Sequence, residues 1–137
     1  MISPTRTAPV ASGRGTPAFF TAAAWTLPAA IGAQFALAGQ ALFNGLSWTL
    51  HGTVGALVAL PILALFCAAF LIRQLRGFRW WAGLLLGLYV LQITLAAFGP
   101  AALALHPFNA ALLLSASLIV LAKVEKRRRK TMRPSGI

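Results

Sequence analysis

The sequence predicts an all-α, polytopic membrane protein built as an up-and-down four-helix transmembrane bundle, on three observations. First, of 137 residues, 59% are apolar and only 9% charged, against roughly 25% charged in a soluble domain. Second, the charges cluster at the two ends and in one central stretch, leaving long uncharged runs, each able to cross a hydrocarbon core of about 30 Å. Third, the amino terminus, Arg73–Arg79 and the carboxyl terminus carry all twelve Lys and Arg, while the other two connections carry none. Four spans bring those three regions to one side, and the positive-inside rule makes that side cytoplasmic. The expected location is a cell membrane, multi-pass, with both termini cytoplasmic. The flanks are too short to enclose a separate soluble core.

The net charge of +11, with Glu125 the sole acidic residue, would suggest nucleic acid in a soluble protein. Here the charges bracket apolar spans, so the expected partner is the lipid bilayer and no nucleic acid. Cys67 falls inside a span and reads as a small apolar filler.

Residues 1–16 are rich in Ser, Thr, Pro, Gly and Ala and have little to bury, so a disordered tail is expected there. Residues 17–122 form the membrane domain. Its first span covers about 17–43, roughly 40 Å as a helix, with Pro28 as the expected bend. Gly32, Ala36 and Gly39 share a face that would permit close approach of a helix or a flat ligand. A signal peptide cleaved after Ala36-Leu37-Ala38 is a rival reading, opposed by the long apolar region and by Gln34. Ser47 is the expected N-cap of span 2, which covers 48–72 with Pro61 as a kink. A basic loop over 73–79 follows, then Trp80 and Trp81 as interfacial anchors. Span 3 covers 80–98 and contains Gly83 and Gly87 at small-xxx-small spacing. Gly99-Pro100 ends it. Span 4 covers about 103–122, and its start is open between Ala101 and Pro107. Pro107 at the first helical position would make His106 the cap. Residues 123–137 form a basic tail, read first as a stop-transfer and orientation signal. Its charges would also attract anionic lipid at about 1 kcal/mol each near the surface.

A faint repeat relates the two halves. Gln34-Phe35-Ala36-Leu37-Ala38-Gly39 in span 1 resembles Gln92-Ile93-Thr94-Leu95-Ala96-Ala97 in span 3. Each is followed by a turn and a helix start bearing a histidine, His51 or His106, with Gly55 or Ala110 four residues on. A small residue thus lies one turn below each imidazole. The chain reads as two copies of a helical hairpin about an axis along the membrane normal.

Those are the only histidines. In an up-and-down bundle helices 2 and 4 are parallel and diagonal, so both rings should lie at one depth near the extracytoplasmic face. Neutral imidazole is a good ligand for iron, copper and zinc. Two ligands, with no Asp in the chain and Cys67 alone, are too few for structural zinc. They are the number a six-coordinate haem needs, since its macrocycle supplies four nitrogens. The expected cofactor is therefore haem b, with His51 and His106 as axial ligands. Gly55 and Ala110 would give the ring room, and Gln34, Gln92 or Asn109 would contact an imidazole or a propionate. For the glutamines and Asn109 plain interhelical hydrogen bonding is the simpler role. Tyr89 suits core or interface.

The pattern of His51, a basic loop, Leu91-Gln92 with Leu95, and Leu105-His106 with Ala110 resembles one four-helix half of haem A synthase. That resemblance covers about residues 30–122 and implies a b-type haem held near the extracytoplasmic side. Two departures count against its chemistry: the family has a glutamate one turn before its span-2 histidine, where this chain has Ser47 and Trp48, and an arginine after it, where this chain has Gly52. The Gln34–Gly39 and His106–Ala110 stretches also resemble small uncharacterised four-span bacterial membrane proteins grouped as a domain of unknown function. That likeness implies a fold and little about activity.

Hydrolytic chemistry has no support, because the chain lacks an acidic pair, a Cys–His–Asp set and a phosphate loop. The functional expectation is a b-type haem-binding module for electron transfer or haem handling, a role that leans away from catalysis without deciding against it. The rival is a small cofactor-free structural or assembly subunit of a larger membrane complex, or a homo-oligomer. A transporter or channel component is disfavoured by the absence of intramembrane charge.

Overall fold

The computed structural model of the protein describes residues 15–132; almost all of the 1–16 segment lies outside the described residues. Helix α1 is Ala18–Asn44, α2 is Trp48–Leu57, α3 is Ala59–Leu71, and a 3-10 helix covers Arg73–Phe78. Helix α4 is Arg79–Ala97, α5 is Pro100–Leu103, and α6 is His106–Met132. They make four helical segments long and apolar enough to cross a membrane, α2 and α3 together forming the second. The protein is an all-α four-helix bundle of the membrane class.

Local chemistry sets the boundaries. Span 1 ends at Gly45, whose φ of 68° is open to glycine at little cost, and Leu46 N–H then donates to Gln40 O at 3.4 Å. Ser47 caps α2, its hydroxyl accepting from Thr49 N–H at 3.1 Å. The expected kink in span 2 falls not at Pro61 but at Val58, which separates α2 from α3. Proline has no N–H for the carbonyl four residues back and its ring crowds that carbonyl, here that of Leu57, so the helix yields one turn before the proline.

Pro107 acts the same way. Leu103 O cannot receive an N–H from it, and the chain breaks at Ala104-Leu105 between the short α5 and α6. Both expectations for span 4 hold in part: a helical turn starts at Pro100, and the long helix starts at His106 with Pro107 in its first turn.

Two basic segments differ from expectation. The stretch taken as a loop is a 3-10 helix that buries Leu75 and Phe78, with Arg79 already in α4. The helix of span 4 does not end near Ala122 but continues through Lys123–Lys130 to Met132, burying Val124.

Each span packs on its sequence neighbours, and α6 closes the ring against α1. Spans 1 and 3 are one diagonal, spans 2 and 4 the other. The core is concentrated at one end. Phe20, Ala24 and Leu27 of α1, Ile62, Leu65 and Ala69 of α3, Leu75, Leu85, Val120 and Val124 are all nearly inaccessible. Phe20 meets Phe78 edge to face at 5.2 Å. Polar ties close the same end. Trp25 Nε1–H donates to Glu125 at 3.0 Å, Arg127 to Gln74 O at 2.5 Å, and Arg79 to Ala69 O and Phe70 O at 3.3 and 3.0 Å. Lys123 lies over the Trp81 ring at 5.3 Å.

The opposite end, where α2 and α6 begin, is loosely packed. Helix α2 buries no residue and packs on α1 and on its own continuation α3. Small-residue faces expected to seat a neighbour do not. A methyl built on Gly32, Gly39, Gly83 or Gly87 meets nothing within 4 Å, and Ala36 is exposed.

Candidate functional site

A cavity of about 350 Å³ occupies the loosely packed end, within the range of small-molecule sites. Ile31, Val58 and Leu113, all buried, also line it and join it to the core. All six residues singled out from the sequence line it: His51, His106, Gly55, Ala110, Gln34 and Gln92. Tyr89, Phe35, Ile93 and Ala96 add to the wall. It is a mostly apolar chamber with a few converging polar groups.

The imidazoles approach each other across the span 2–span 4 diagonal. Their ring centroids are 6.3 Å apart with an interplanar angle of 57°. Trp48 meets His51 edge to face at 5.6 Å.

His106 is tied to span 3. Its Nδ1–H donates to the main-chain carbonyl of Gln92 at 3.1 Å, and the Gln92 side-chain amide returns a bond to His106 O at 3.1 Å. Asn109, one turn on and buried, donates to Gln92 Oε1 at 2.6 Å and to Leu88 O at 2.9 Å. Asn109 Oδ1 itself is buried with no partner. His51 is tied to span 1 by a related device. Gln34 Nε2 donates to His51 O and to His51 Nδ1, both at 3.0 Å, and its Oε1 accepts from Gly55 N–H at 2.9 Å. The amide orientation is assigned from the Gly55 N–H, which can only donate, and the His51 carbonyl, which can only accept. In both halves a glutamine amide thus reaches from the odd-numbered span to the main-chain carbonyl of a histidine on the next, as the faint repeat would have it.

Gly55 has a further use. It seats the Gln34 amide: a methyl there would meet that side chain at 3.4 Å. One contributor was missed. The Tyr89 hydroxyl lies 3.1 Å from Gly55 O and 3.3 Å from Ala56 O, joining span 3 to α2 across the cavity. A lone hydroxyl in an apolar run, which must find an acceptor in lipid, was the available signal. Asn109 takes the simpler role expected of it, interhelical hydrogen bonding, through Gln92 and Leu88 of span 3.

Among the described residues no three His, Cys, Asp or Glu side chains come together. A bare metal ion ligated by such side chains therefore finds no full set. A group that brings most of its own ligands is a better match to two imidazoles.

The fold and this site define a four-span membrane protein with a histidine-lined chamber at one end. The chain belongs to the Family of unknown function (DUF6220), whose model matches residues 34–102. The match includes Gln34, His51, Gly55 and Gln92 and stops before His106 and Ala110. No curated protein matches the chain. No solved structure matches it either. None of these comparisons shows a likeness to haem A synthase.

Proposed function

We propose that the protein binds one b-type haem between His51 and His106, for electron transfer or haem handling. The observation that carries this reading is the 6.3 Å between ring centroids inside one cavity. A metal–imidazole bond of about 2.0 Å, the length typical of zinc, plus about 1.1 Å from nitrogen to ring centre, gives about 6.2 Å for two rings on one metal. The His106 Nδ1–H bond to a carbonyl leaves Nε2 as the ligating edge, the usual support of a metal-bound histidine. The apolar walls would exclude water, and a bound haem would supply one-electron chemistry. His51 and His106 would both be engaged in holding the group, which would suit electron transfer or haem handling over oxygen activation. The residues that would modify a haem in the manner of haem A synthase are absent at Ser47, Trp48 and Gly52.

The charge pattern supports a cytoplasmic side for both termini and an extracytoplasmic side for the cavity. In that frame Lys126, Arg129 and Lys130 extend beyond the bilayer and would meet anionic headgroups.

The test is the absorption spectrum of detergent-purified protein. A reduced-minus-oxidised Soret and α-band signal is expected and should vanish in the double variant His51→Ala, His106→Ala. A signal that survives the double substitution would sink the reading. Colourless protein that co-purifies with a larger membrane complex would favour the structural-subunit alternative.

A further inference from the structure

We propose that Gln34 governs whether His51 can ligate a metal, so that the two histidines are unequal: His106 is ready through Nε2, and His51 is not until the Gln34 amide turns over. The consequence for haem rests on the reading above; the tautomers it predicts do not.

A neutral imidazole carries one N–H and one lone pair. A metal takes the Nε2 lone pair when Nδ1 holds the hydrogen, normally donated to a carbonyl or carboxylate. His106 meets this condition. Its Nδ1 faces the Gln92 carbonyl at 3.1 Å, and a carbonyl only accepts, so the hydrogen sits on Nδ1.

His51 is the opposite case. Its Nδ1 faces the Gln34 amide nitrogen at 3.0 Å, and that nitrogen only donates. Nδ1 therefore holds the lone pair and Nε2 the hydrogen, at the edge a metal would need. The amide is not free to adapt. Its oxygen accepts from Gly55 N–H at 2.9 Å and its nitrogen also donates to His51 O at 3.0 Å. Turned over, it would set oxygen against the His51 carbonyl and nitrogen against the Gly55 N–H, two repulsive contacts for one gained. The first turn of α2 thus fixes the amide, the amide fixes the ring, and Gly55 provides the space.

In the metal-free protein the pair is complementary, one Nε2–H donor and one Nε2 acceptor. For both rings to ligate, the hydrogen on His51 Nε2 must leave and one must arrive on Nδ1, through solvent and with no net change in protons. The Gln34 amide must rotate to accept it. His106 is then the first and firmer ligand, His51 the second and weaker.

The experiment is 15N NMR of metal-free full-length protein with labelled histidine, in detergent at alkaline pH. We expect His51 in the Nε2–H form and His106 in the Nδ1–H form. His51 found as Nδ1–H in the unsubstituted protein overturns the proposal, and this readout needs no variant to fold. In Gln34→Glu, whose carboxylate can only accept, His51 should convert to Nδ1–H while His106 stays as it is; an unmoved His51 tells against the proposal. Haemin is the second probe. Gln34→Glu should bind it about 10-fold tighter, the scale on which partners of metal-bound histidines act. His51→Ala should retain a five-coordinate haemin complex that His106→Ala loses. Equal losses in the two alanine variants overturn the ordering. The expected tautomers with no haemin bound would overturn the haem reading alone.

Discussion

Asn109 donates two hydrogen bonds, to Gln92 and Leu88, and leaves its own carbonyl oxygen buried without a partner. Interhelical hydrogen bonds in membranes average about 0.6 kcal/mol, while an unsatisfied buried acceptor costs about 1–3 kcal/mol. These oppose each other, so Asn109→Leu should change stability by less than about 1 kcal/mol in a detergent unfolding titration. Its effect should appear elsewhere: Gln92 loses the bond that orients it, and affinity for haemin should fall about 10-fold. A large stability loss with unchanged affinity would count against this positioning role. At this scale the sequence was readable where residue type was rare. Two histidines among 137 residues draw notice, and Gln34 and Gln92 stood out as amides in apolar runs. What those amides bond to was not readable. Gln34 is seventeen residues from His51 and Gln92 fourteen from His106, and only packed helices decide which atoms meet.

Helix breaks here follow proline arithmetic, which moves each break about one turn towards the amino terminus. The interruption at Val58 belongs to Pro61 and that at Ala104-Leu105 to Pro107. Both lie beside the cavity, whose lining includes Val58, His106 and Pro107. Pro61→Ala restores an N–H for Leu57 O and removes a crowded ring, an effect of about 3 kcal/mol in favour of a continuous helix. We expect a higher Tm by circular dichroism together with weaker haemin binding, because a straight span 2 would shift His51 relative to His106. A variant that gains stability and keeps full binding would show that the break has no part in shaping the site. At the other end, Arg79 donates to two carbonyls at the end of α3 and lies over the Phe70 ring at 5.1 Å. Arg79→Leu should lower stability by about 1–2 kcal/mol, read in the same unfolding assay. The basic stretch over 73–79 was misjudged as a loop because its charges hid Leu75 and Phe78, which fill the core. The helix runs on into the basic tail because Lys and Arg are good helix formers and Val124 gives that extension an apolar anchor.

Across the whole molecule, charge placement and packing are segregated to the same end. The four spans, their up-and-down order and the span 2–span 4 diagonal were legible from loop charges and span count. The uneven core was not, because apolar residues are spread along every span and lipid-facing ones look like buried ones. Topology is checked by labelling. In a Cys67→Ala background, a cysteine at Thr49 should react in intact cells with a membrane-impermeant maleimide, and one at Lys130 only after lysis. The reverse pattern would invert the assignment of sides. The lack of buried residues in α2 carries a last consequence. Swinging that helix outward breaks the two Tyr89 bonds and the Gln34 bonds and takes no buried side chain of its own out of the core. The barrier to parting this seam is therefore set by a handful of polar contacts, few enough to re-form quickly. A broad, flat, greasy molecule dissolved among the acyl chains could slip in sideways while the far half of the bundle stays folded, with no route through water at all.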